Sequence, residues 1–437
     1  MPKNALISRL IMTLRLNLLD LEKNMKRLMF LVLCLVGPES FGFEAKMVNL
    51  LNAESSQEIS TYQFTIPTAD GAALLSGQVD YPPFVSGPIP LIVMIGGTGL
   101  FDRDYNFGNS GTEKDLLFKE LSKEFTKAGF AVARYDFRGV HCSEFTMPSC
   151  LNCKSKDEIK QHFVNSCVNN KERASITWDN MEMDFVAVYN HVKKLSKIDS
   201  SKIIVFAHSE GTAHISNLIS SKLIDPKGLM MMGMIAESPR SVIRWQFTSR
   251  WATQFLRAID PDFVDKVTNE QIESFCRRQS TSKGDCDEWK SPNGYWTADS
   301  LAAVMESREY LTYREEALSH NDNQIFKHLL SEYGATFASY AWWKRWFLDD
   351  VQNIEKLARY KGPISVFNGE IDGATPAVRQ FKAIDDNAYR FELKPNVYKY
   401  PFAGHSLSPH PFVGPIPEAV KADLVSAAQK MADIIPQ

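Results

Sequence analysis

The chain has 437 residues, of which 44% are apolar and 23% are charged, and its formal net charge is −3. This composition is typical of an ordinary globular protein, and the length allows two or three domains or one α/β domain with an insertion. The charge balance shows neither the basic surplus of a nucleic-acid-binding protein nor an acidic tail, so no nucleic-acid partner is expected.

The N-terminal part of the chain contains the three parts of a secretory signal peptide. Lys26 and Arg27 precede the apolar run 28–36, and small residues spaced two apart follow it. The run is shorter than the roughly 20 apolar residues that span a bilayer, so no stable membrane insertion is expected. We predict a signal peptide over 1–42, with Met25 as a candidate start, and a secreted or periplasmic protein. A buried N-terminal helix is the alternative interpretation.

Cysteine usage agrees with export. Beyond the signal, an even number of cysteines remains, which is typical of disulfides formed in an oxidising compartment: Cys142, Cys150, Cys153, Cys167, Cys276 and Cys286. Cys276 and Cys286 are close in sequence and are predicted to pair. The other four permit three pairings, and we favour a bond between Cys142 and Cys167. It would enclose a second bond between Cys150 and Cys153, whose Cys-x-x-Cys spacing is also found in redox and zinc sites.

After the signal, apolar runs alternate with segments of helical spacing, which is the pattern of a mainly parallel twisted sheet with helices on both faces. An opening hairpin is predicted at 61–66 and 73–79, with a turn at Ala69-Asp70-Gly71. Further strands are predicted at 91–95, 130–136, 203–206, 229–235, 364–367 and 397–400. Helices are predicted at 116–128, 211–220 and 417–435.

Two stretches interrupt this alternation. Residues 141–173 contain the four clustered cysteines. Residues 239–360 are far longer than an ordinary connection between strands, have helical spacing, and contain seven of the eight tryptophans of the chain. The sequence therefore predicts an α/β core in two parts, 43–238 and 361–437, with a helical cap insertion at 239–360. Most of these tryptophans are expected to pack the core of the cap.

The segment that carries chemistry is Ala207-His208-Ser209-Glu210-Gly211, which follows a β-branched strand and opens a helix. A serine on a strained strand-to-helix turn projects its oxygen, and small residues around it let strand and helix pass closely. The N-terminus of the helix also directs amide groups toward the reacting centre. Ser209 is therefore the predicted nucleophile, whereas His208 and His214 are assigned structural roles.

A serine nucleophile requires a base, and the base requires an acid that orients it. Asp372 and His405 each follow a predicted strand, so both are expected at the carboxyl edge of the sheet, where ligands bind in open α/β folds. The chain order Ser209, Asp372, His405 is that of the α/β-hydrolases. Glu370 as the acid and His410 as the base are the alternatives.

Acyl transfer also requires N–H donors for the developing oxyanion. The backbone N–H of Glu210, directly after Ser209, is one candidate, and the N–H of Thr98 in the glycine-rich loop 96–99 is the other. This loop lacks the Gly-Lys-Ser/Thr ending of a nucleotide-binding loop. The predicted chemistry needs no metal or other cofactor.

At these residues the chain resembles a bacterial branch of the α/β-hydrolases, which groups with the serine aminopeptidase-like and dienelactone hydrolase-like esterases. Residues 96–104 resemble its His-Gly-Ser-Gly…Asp-Arg-Asp segment, with Gly96 where the family has His. Residues 134–140 are similar to its Arg-Tyr-Asp-x-Arg-Gly strand end, 207–211 to its Gly-His-Ser-Glu-Gly elbow, and 368–372 to its acid loop.

The resemblance covers about 60–238 and 361–437. It implies an α/β-hydrolase fold, with Ser209, Asp372 and His405 as nucleophile, acid and base. It also assigns the oxyanion hole to Thr98 and Glu210. Members of this branch cleave carboxylic esters, thioesters or short peptides.

The sequence thus predicts a serine hydrolase that cleaves small-molecule carboxylic esters through an acyl-enzyme. A peptidase acting on short peptides is the first alternative. A non-catalytic binding protein on the same fold is the second. The oligomeric state is not readable from the sequence.

Overall fold

The computed structural model describes residues 59–83, 87–105, 116–141, 155–279, 283–322, 338–409 and 415–433. The predicted signal peptide, His410, Cys142, Cys150 and Cys153 lie outside these described residues. The described chain forms two compact units: a smaller one, Arg244–Thr312, and a larger one that comprises the described residues before and after it.

The secondary structure follows from the strand and helix patterns of the sequence. The strands of the described residues are β1 (Ser60–Pro67), β2 (Leu74–Tyr81), β3 (Ile89–Ile95), β4 (Ala131–Tyr135), β5 (Ile198–His208), β6 (Gly228–Met232), β7 (Val267–Thr268), β8 (Tyr295–Trp296), β9 (Ile364–Gly369) and β10 (Asn396–Tyr400). The helices are α1 (Leu117–Lys127), α2 (Lys156–Cys167), α3 (Asn170–Ala174), α4 (Trp178–Val192), α5 (Glu210–Ser220), α6 (Pro239–Trp245), α7 (Trp251–Ile259), α8 (Asn269–Arg278), α9 (Lys283–Asp287), α10 (Ala298–Met305), α11 (Leu311–Ser319), α12 (Tyr340–Leu348), α13 (Asn353–Lys356), α14 (Ala377–Phe391) and α15 (Glu418–Met431). None of these helices is both long enough and apolar enough to cross a bilayer.

The larger unit is built on one eight-stranded sheet with the strand order β1-β2-β4-β3-β5-β6-β9-β10. β2 pairs antiparallel with both of its neighbours, β1 and β4. All other neighbouring strands in this sheet pair in parallel. This is the sheet of an α/β-hydrolase fold, so the predicted fold class and the predicted opening hairpin are confirmed.

Residues 203–208 of the central strand β5 are buried, which explains the continuous apolar sequence of 203–207. Ile203 and Val205 pack in the core that also contains side chains of α4, α5 and α14. Ile204 and Phe206 point to the opposite core, which is formed with α1 and α15. The helices therefore cover both faces, as predicted. β5 begins earlier than predicted because Ile198 also pairs with β3, beyond an irregularity in the register.

The smaller unit has its own apolar core and a two-stranded sheet formed by β7 and β8. The predicted disulfide between Cys276 and Cys286 is present and links α8 to α9. Three of the tryptophans, Trp251, Trp289 and Trp296, pack in or against this core. Another three, Trp342, Trp343 and Trp346, lie on α12 in the larger unit. The predicted cap at 239–360 stays a prediction.

Candidate active site

The nucleophile candidate Ser209 lies on the turn between β5 and α5, with φ 55° and ψ −126°. A non-glycine residue adopts this conformation only when its surroundings hold it, because the Cβ crowds the backbone. The Ser209 N–H donates to the Met232 carbonyl at 3.0 Å, and the Thr212 hydroxyl donates to the Ser209 carbonyl at 2.6 Å. The turn is therefore held on both sides, and Ser209 is half-buried.

Two glycines permit the close packing around this turn. A Cβ added to Gly97 would lie 2.5 Å from the Ser209 Cβ, so the loop after β3 passes directly against the serine. A Cβ added to Gly211 would lie 2.5 Å from the Gly96 carbonyl oxygen. Neither distance is tolerable for a larger side chain, which explains why glycine stands at both positions.

Asp372 and His405 form a hydrogen-bonded pair at the carboxyl ends of β9 and β10. The His405 Nδ1 donates to the Asp372 Oδ2 at 2.8 Å, and both side chains are buried. The other carboxylate oxygen accepts the backbone N–H groups of Ala374 and Thr375 at 2.7 and 2.8 Å. Burial raises the pKa of Asp372, but the imidazole and these hydrogen bonds outweigh it and hold the pKa below its usual value.

The alternative acid, Glu370, is turned away from this pair. Its side chain is exposed and forms an ion pair with Lys399 at 2.8 Å. Asp372 is therefore the carboxylate that contacts His405. The alternative base, His410, lies outside the described residues.

His405 also lies against the residue that precedes Ser209. The rings of His208 and His405 are 4.7 Å apart, and the His208 Nε2 is 3.2 Å from the His405 carbonyl oxygen. Within the described residues, the Ser209 hydroxyl and the His405 imidazole are not hydrogen-bonded to each other. Catalytic hydrogen bonds are often long or poorly aligned before substrate binds.

The candidate oxyanion donors lie on either side of Ser209. The Gly97 N–H, next to the Thr98 N–H, already donates to the Tyr105 hydroxyl at 2.6 Å. The Thr98 hydroxyl donates to the Glu210 carboxylate. Thr98 is half-buried and Glu210 is buried, and the Glu210 N–H lies at the N-terminus of α5, where the helix dipole favours negative charge.

Charged groups of α4 and α5, which the sequence did not reveal, form a cluster next to the Ser209 turn. The two nitrogens of His214 each lie 3.4 Å from a carboxylate oxygen, one of Glu182 and one of Glu210. Burial lowers the pKa of His214, but the two carboxylates outweigh it and raise the pKa to about 9. The two carboxylates therefore favour the protonated form of His214, whose positive charge balances theirs.

Two further residues of the site, Tyr105 and Thr375, had no sequence signal of their own. The Tyr105 hydroxyl contacts Gly97, eight residues before it, and His208, 103 residues after it. The Thr375 hydroxyl donates to the Asp372 Oδ2 at 2.8 Å. Thr375 lies only three residues after Asp372, so a local turn between them was the one detectable hint.

Comparisons with known proteins give structural likeness only. No protein-family model matches the chain, and no curated protein sequence matches it. Among solved structures, a lipase in its open form is 14% identical with a TM-score of 0.47, covering 86% of this chain and 100% of its own. A thermostable carboxyl esterase from Bacillus coagulans is 12% identical with a TM-score of 0.45, covering 86% and 100%. Est1E from Butyrivibrio proteoclasticus is 12% identical with a TM-score of 0.42, covering 85% and 99%. Such low identities carry no information about substrate.

Proposed function

We propose that this protein is a serine hydrolase that cleaves carboxylic esters through an acyl-enzyme, with Ser209, His405 and Asp372 as its triad. The observation that carries the proposal is the strained Ser209 turn at the sheet edge where Asp372 and His405 are hydrogen-bonded. Strain of this kind costs on the order of 1–3 kcal/mol, and it is concentrated at active sites.

In the proposed reaction, the His405 Nδ1 keeps its proton and stays hydrogen-bonded to Asp372, which leaves Nε2 as the proton acceptor. Nε2 takes the Ser209 proton while the serine oxygen attacks the ester carbonyl carbon. The bond to the alcohol then breaks, and His405 returns the proton to the leaving oxygen. A water molecule, deprotonated by His405, attacks the acyl group, and the acid is released as Ser209 regains its proton.

The oxyanion formed in both steps is assigned to the backbone N–H groups of Thr98 and Glu210. Two observations support this assignment: the loop after β3 is in contact with Ser209 at Gly97, and the Glu210 N–H is at a helix N-terminus. Losing one such donor typically raises the barrier by about 3 kcal/mol.

Labelling with a fluorophosphonate probe tests the nucleophile. Wild-type protein should be labelled, whereas Ser209→Ala should not be labelled and should lose ester turnover by at least about 10⁴-fold. Labelling that persists in Ser209→Ala would assign the nucleophile to another residue. A wild-type protein that neither reacts with the probe nor turns over any substrate would favour a binding protein.

The substrate class is tested separately. Turnover of p-nitrophenyl esters of increasing acyl length is compared with turnover of aminoacyl-anilides. Ester turnover that exceeds anilide turnover supports the esterase, and the reverse result would assign the protein as a peptidase acting on short peptides.

We also propose that the protein is exported. The Cys276–Cys286 disulfide supports this, because disulfides persist mainly in oxidising compartments. Fractionation of cells that express the full chain, with mass determination of the recovered protein, tests export and locates the cleavage site. Full-length protein confined to the cytosol would contradict the proposal.

A further inference from the structure

Tyr105 is fixed in an unusual position by the segment that precedes it. The Arg103 guanidinium forms two hydrogen bonds to Asp136, at 3.1 and 2.6 Å, and the Asp104 carboxylate is bound by Arg134. Tyr105 itself has φ 58°, is buried, and stacks on Phe118 with ring centroids 4.5 Å apart. These contacts therefore fix the position of the Tyr105 hydroxyl in the site.

From that point, a chain of hydrogen bonds crosses behind Ser209. The Tyr105 oxygen is 2.6 Å from the Gly97 nitrogen and 3.0 Å from the His208 Nδ1. The His208 Nε2 is 3.2 Å from the His405 carbonyl oxygen. The loop after β3, the serine turn and the loop after β10 are thus connected by two side chains.

The two ends of this chain determine the direction of its outer hydrogen bonds. The Gly97 N–H can only donate, and the His405 carbonyl can only accept. Tyr105 therefore accepts from Gly97, and the His208 Nε2–H donates to the His405 carbonyl. Burial, followed by the nearby His405, lowers the pKa of His208 to about 3. In the neutral imidazole that this favours, Nδ1 carries no proton and accepts from the Tyr105 hydroxyl.

We propose that Tyr105 and His208 are positioning residues that set the main chain at Gly97 and at His405 relative to the Ser209 oxygen. The inference rests on the proposed serine-hydrolase function and adds two residues to it. Tyr105 holds the backbone N–H of Gly97, directly before Thr98, and His208 holds the backbone carbonyl of His405. Neither takes up a reaction proton, because the hydrogen-bonding atoms of both side chains are already engaged in the chain.

Tyr105→Phe tests this role, since it removes one oxygen and retains the ring. Because a misplaced oxyanion donor affects the transition state more than the bound ester, kcat should fall about 10-fold. KM should change less than about twofold, and the inhibition constant of a boronic acid should rise in parallel with the loss in kcat.

The matched control is Tyr360→Phe. Tyr360 is also buried, and its hydroxyl donates to the Pro226 carbonyl at 3.0 Å, before the amino ends of β6 and β9. Tyr105→Phe loses two buried hydrogen bonds and Tyr360→Phe loses one. The urea midpoint should therefore fall in both variants, while only Tyr105→Phe should lose kcat. Equal kcat in the two variants would overturn the proposal.

A second pair of variants addresses His208 itself. His208→Leu removes both hydrogen bonds, whereas His208→Gln retains an N–H that reaches toward the His405 carbonyl. We expect His208→Leu to lose kcat about 10-fold and His208→Gln to recover most of it. Equal impairment of the two variants would show that the imidazole ring acts through packing alone, which contradicts the proposal.

Failure of this inference is distinguishable from failure of the proposed function. If the wild-type protein hydrolyses esters and reacts with the fluorophosphonate, and all four variants match it in kcat, only the positioning role is wrong. If the wild-type protein does neither, the serine-hydrolase proposal itself fails.

Discussion

Two buried histidines flank the candidate nucleophile, and their surroundings are opposite in character. His208, at the end of β5, lies on what we call the neutral side, formed with Gly97, Tyr105 and the His405 carbonyl. His214, one turn into α5, lies on the charged side, formed with Glu182, Glu210 and Thr98. Burial is almost complete at both: the two residues are 1% and 0% exposed.

The comparison shows that burial does not decide the charge of a histidine. Burial lowers the pKa of both residues. On the neutral side nothing compensates enough, and the pKa of His208 falls to about 3. On the charged side two carboxylates outweigh burial, and the pKa of His214 rises to about 9. The charged groups next to each histidine, rather than the extent of its burial, therefore set its protonation state.

The largest expected effect is a loss of kcat, and it comes from the acid that pairs with His405, next to the neutral side. Asp372→Asn replaces the carboxylate that accepts from Nδ1 and favours the wrong tautomer of the base, so kcat should fall about 10⁴-fold. The contacts of His208 are unchanged by this substitution, so the urea midpoint should move far less than the rate. Ester turnover and denaturation are measured together.

Glu370→Gln is the matched control for Asp372→Asn. Glu370 is two residues away but is exposed and paired with Lys399, so kcat should stay within about twofold of wild type, as is usual for exposed ion pairs. A loss of kcat in Glu370→Gln as large as that in Asp372→Asn would reassign the acid.

On the charged side, His214→Gln removes the cation between two carboxylates. Breaking a buried ion pair leaves an uncompensated charge, so the free energy of unfolding should fall by about 4 kcal/mol. His141→Gln is the exposed counterpart, because His141 pairs with Glu172 at 3.0 Å on the surface. That variant should lose less than about 1 kcal/mol. Equal losses in urea denaturation would remove the distinction between buried and surface pairs.

The two histidines also predict opposite pH dependences of stability. The pKa of His214 is raised from 6.5 to about 9, so its contribution is complete below pH 6.5 and is lost as the pH rises through 9. The pKa of His208 is lowered to about 3, so its contribution is complete above pH 6.5 and is lost as the pH falls toward 3. Unfolding free energy should therefore decline on both sides of pH 6.5.

The decline in unfolding free energy at alkaline pH can be assigned to His214 by comparing wild type with His214→Gln. Wild type minus His214→Gln should lose about 3 kcal/mol between pH 6.5 and pH 9, because each pKa unit corresponds to about 1.36 kcal/mol. The groups that face His214 are Glu182 and Glu210, and the charge of Arg173 acts on Glu210 from nearby. A difference that is flat over this range would mean that His214 is neutral at pH 6.5.

The sequence was informative where function depends on local pattern. A strand, a small-x-Ser-x-Gly turn and a helix are contiguous, so the Ser209 turn was predictable from one segment. Asp372 and His405 were predictable because each follows a strand, and strand ends meet at one edge of a parallel sheet. The structure brings these two into contact as expected.

What the sequence could not indicate are contacts between distant segments. Tyr105 is 103 residues from His208, and no local pattern couples them. The sequence assigns structural roles to both flanking histidines, but their different protonation states depend on Tyr105, Glu182 and Glu210 in three dimensions. Strand ends shifted for a similar reason: β6 stops at Met232, before the predicted end, where Gly233 turns with φ 55°.

The smallest expected effect tests whether the charged side also positions the oxyanion loop. Thr98→Val keeps the shape of the side chain but removes the hydroxyl that donates to Glu210. We expect kcat to fall about 10-fold, with KM within about twofold, because the Thr98 N–H loses one of its two restraints and keeps the other, at Gly97. Thr98→Ser retains the donor and should restore most of the rate. If Thr98→Val and Thr98→Ser both turn over esters at the wild-type rate, the neutral side alone holds the loop, and the charged side serves only the stability of α5.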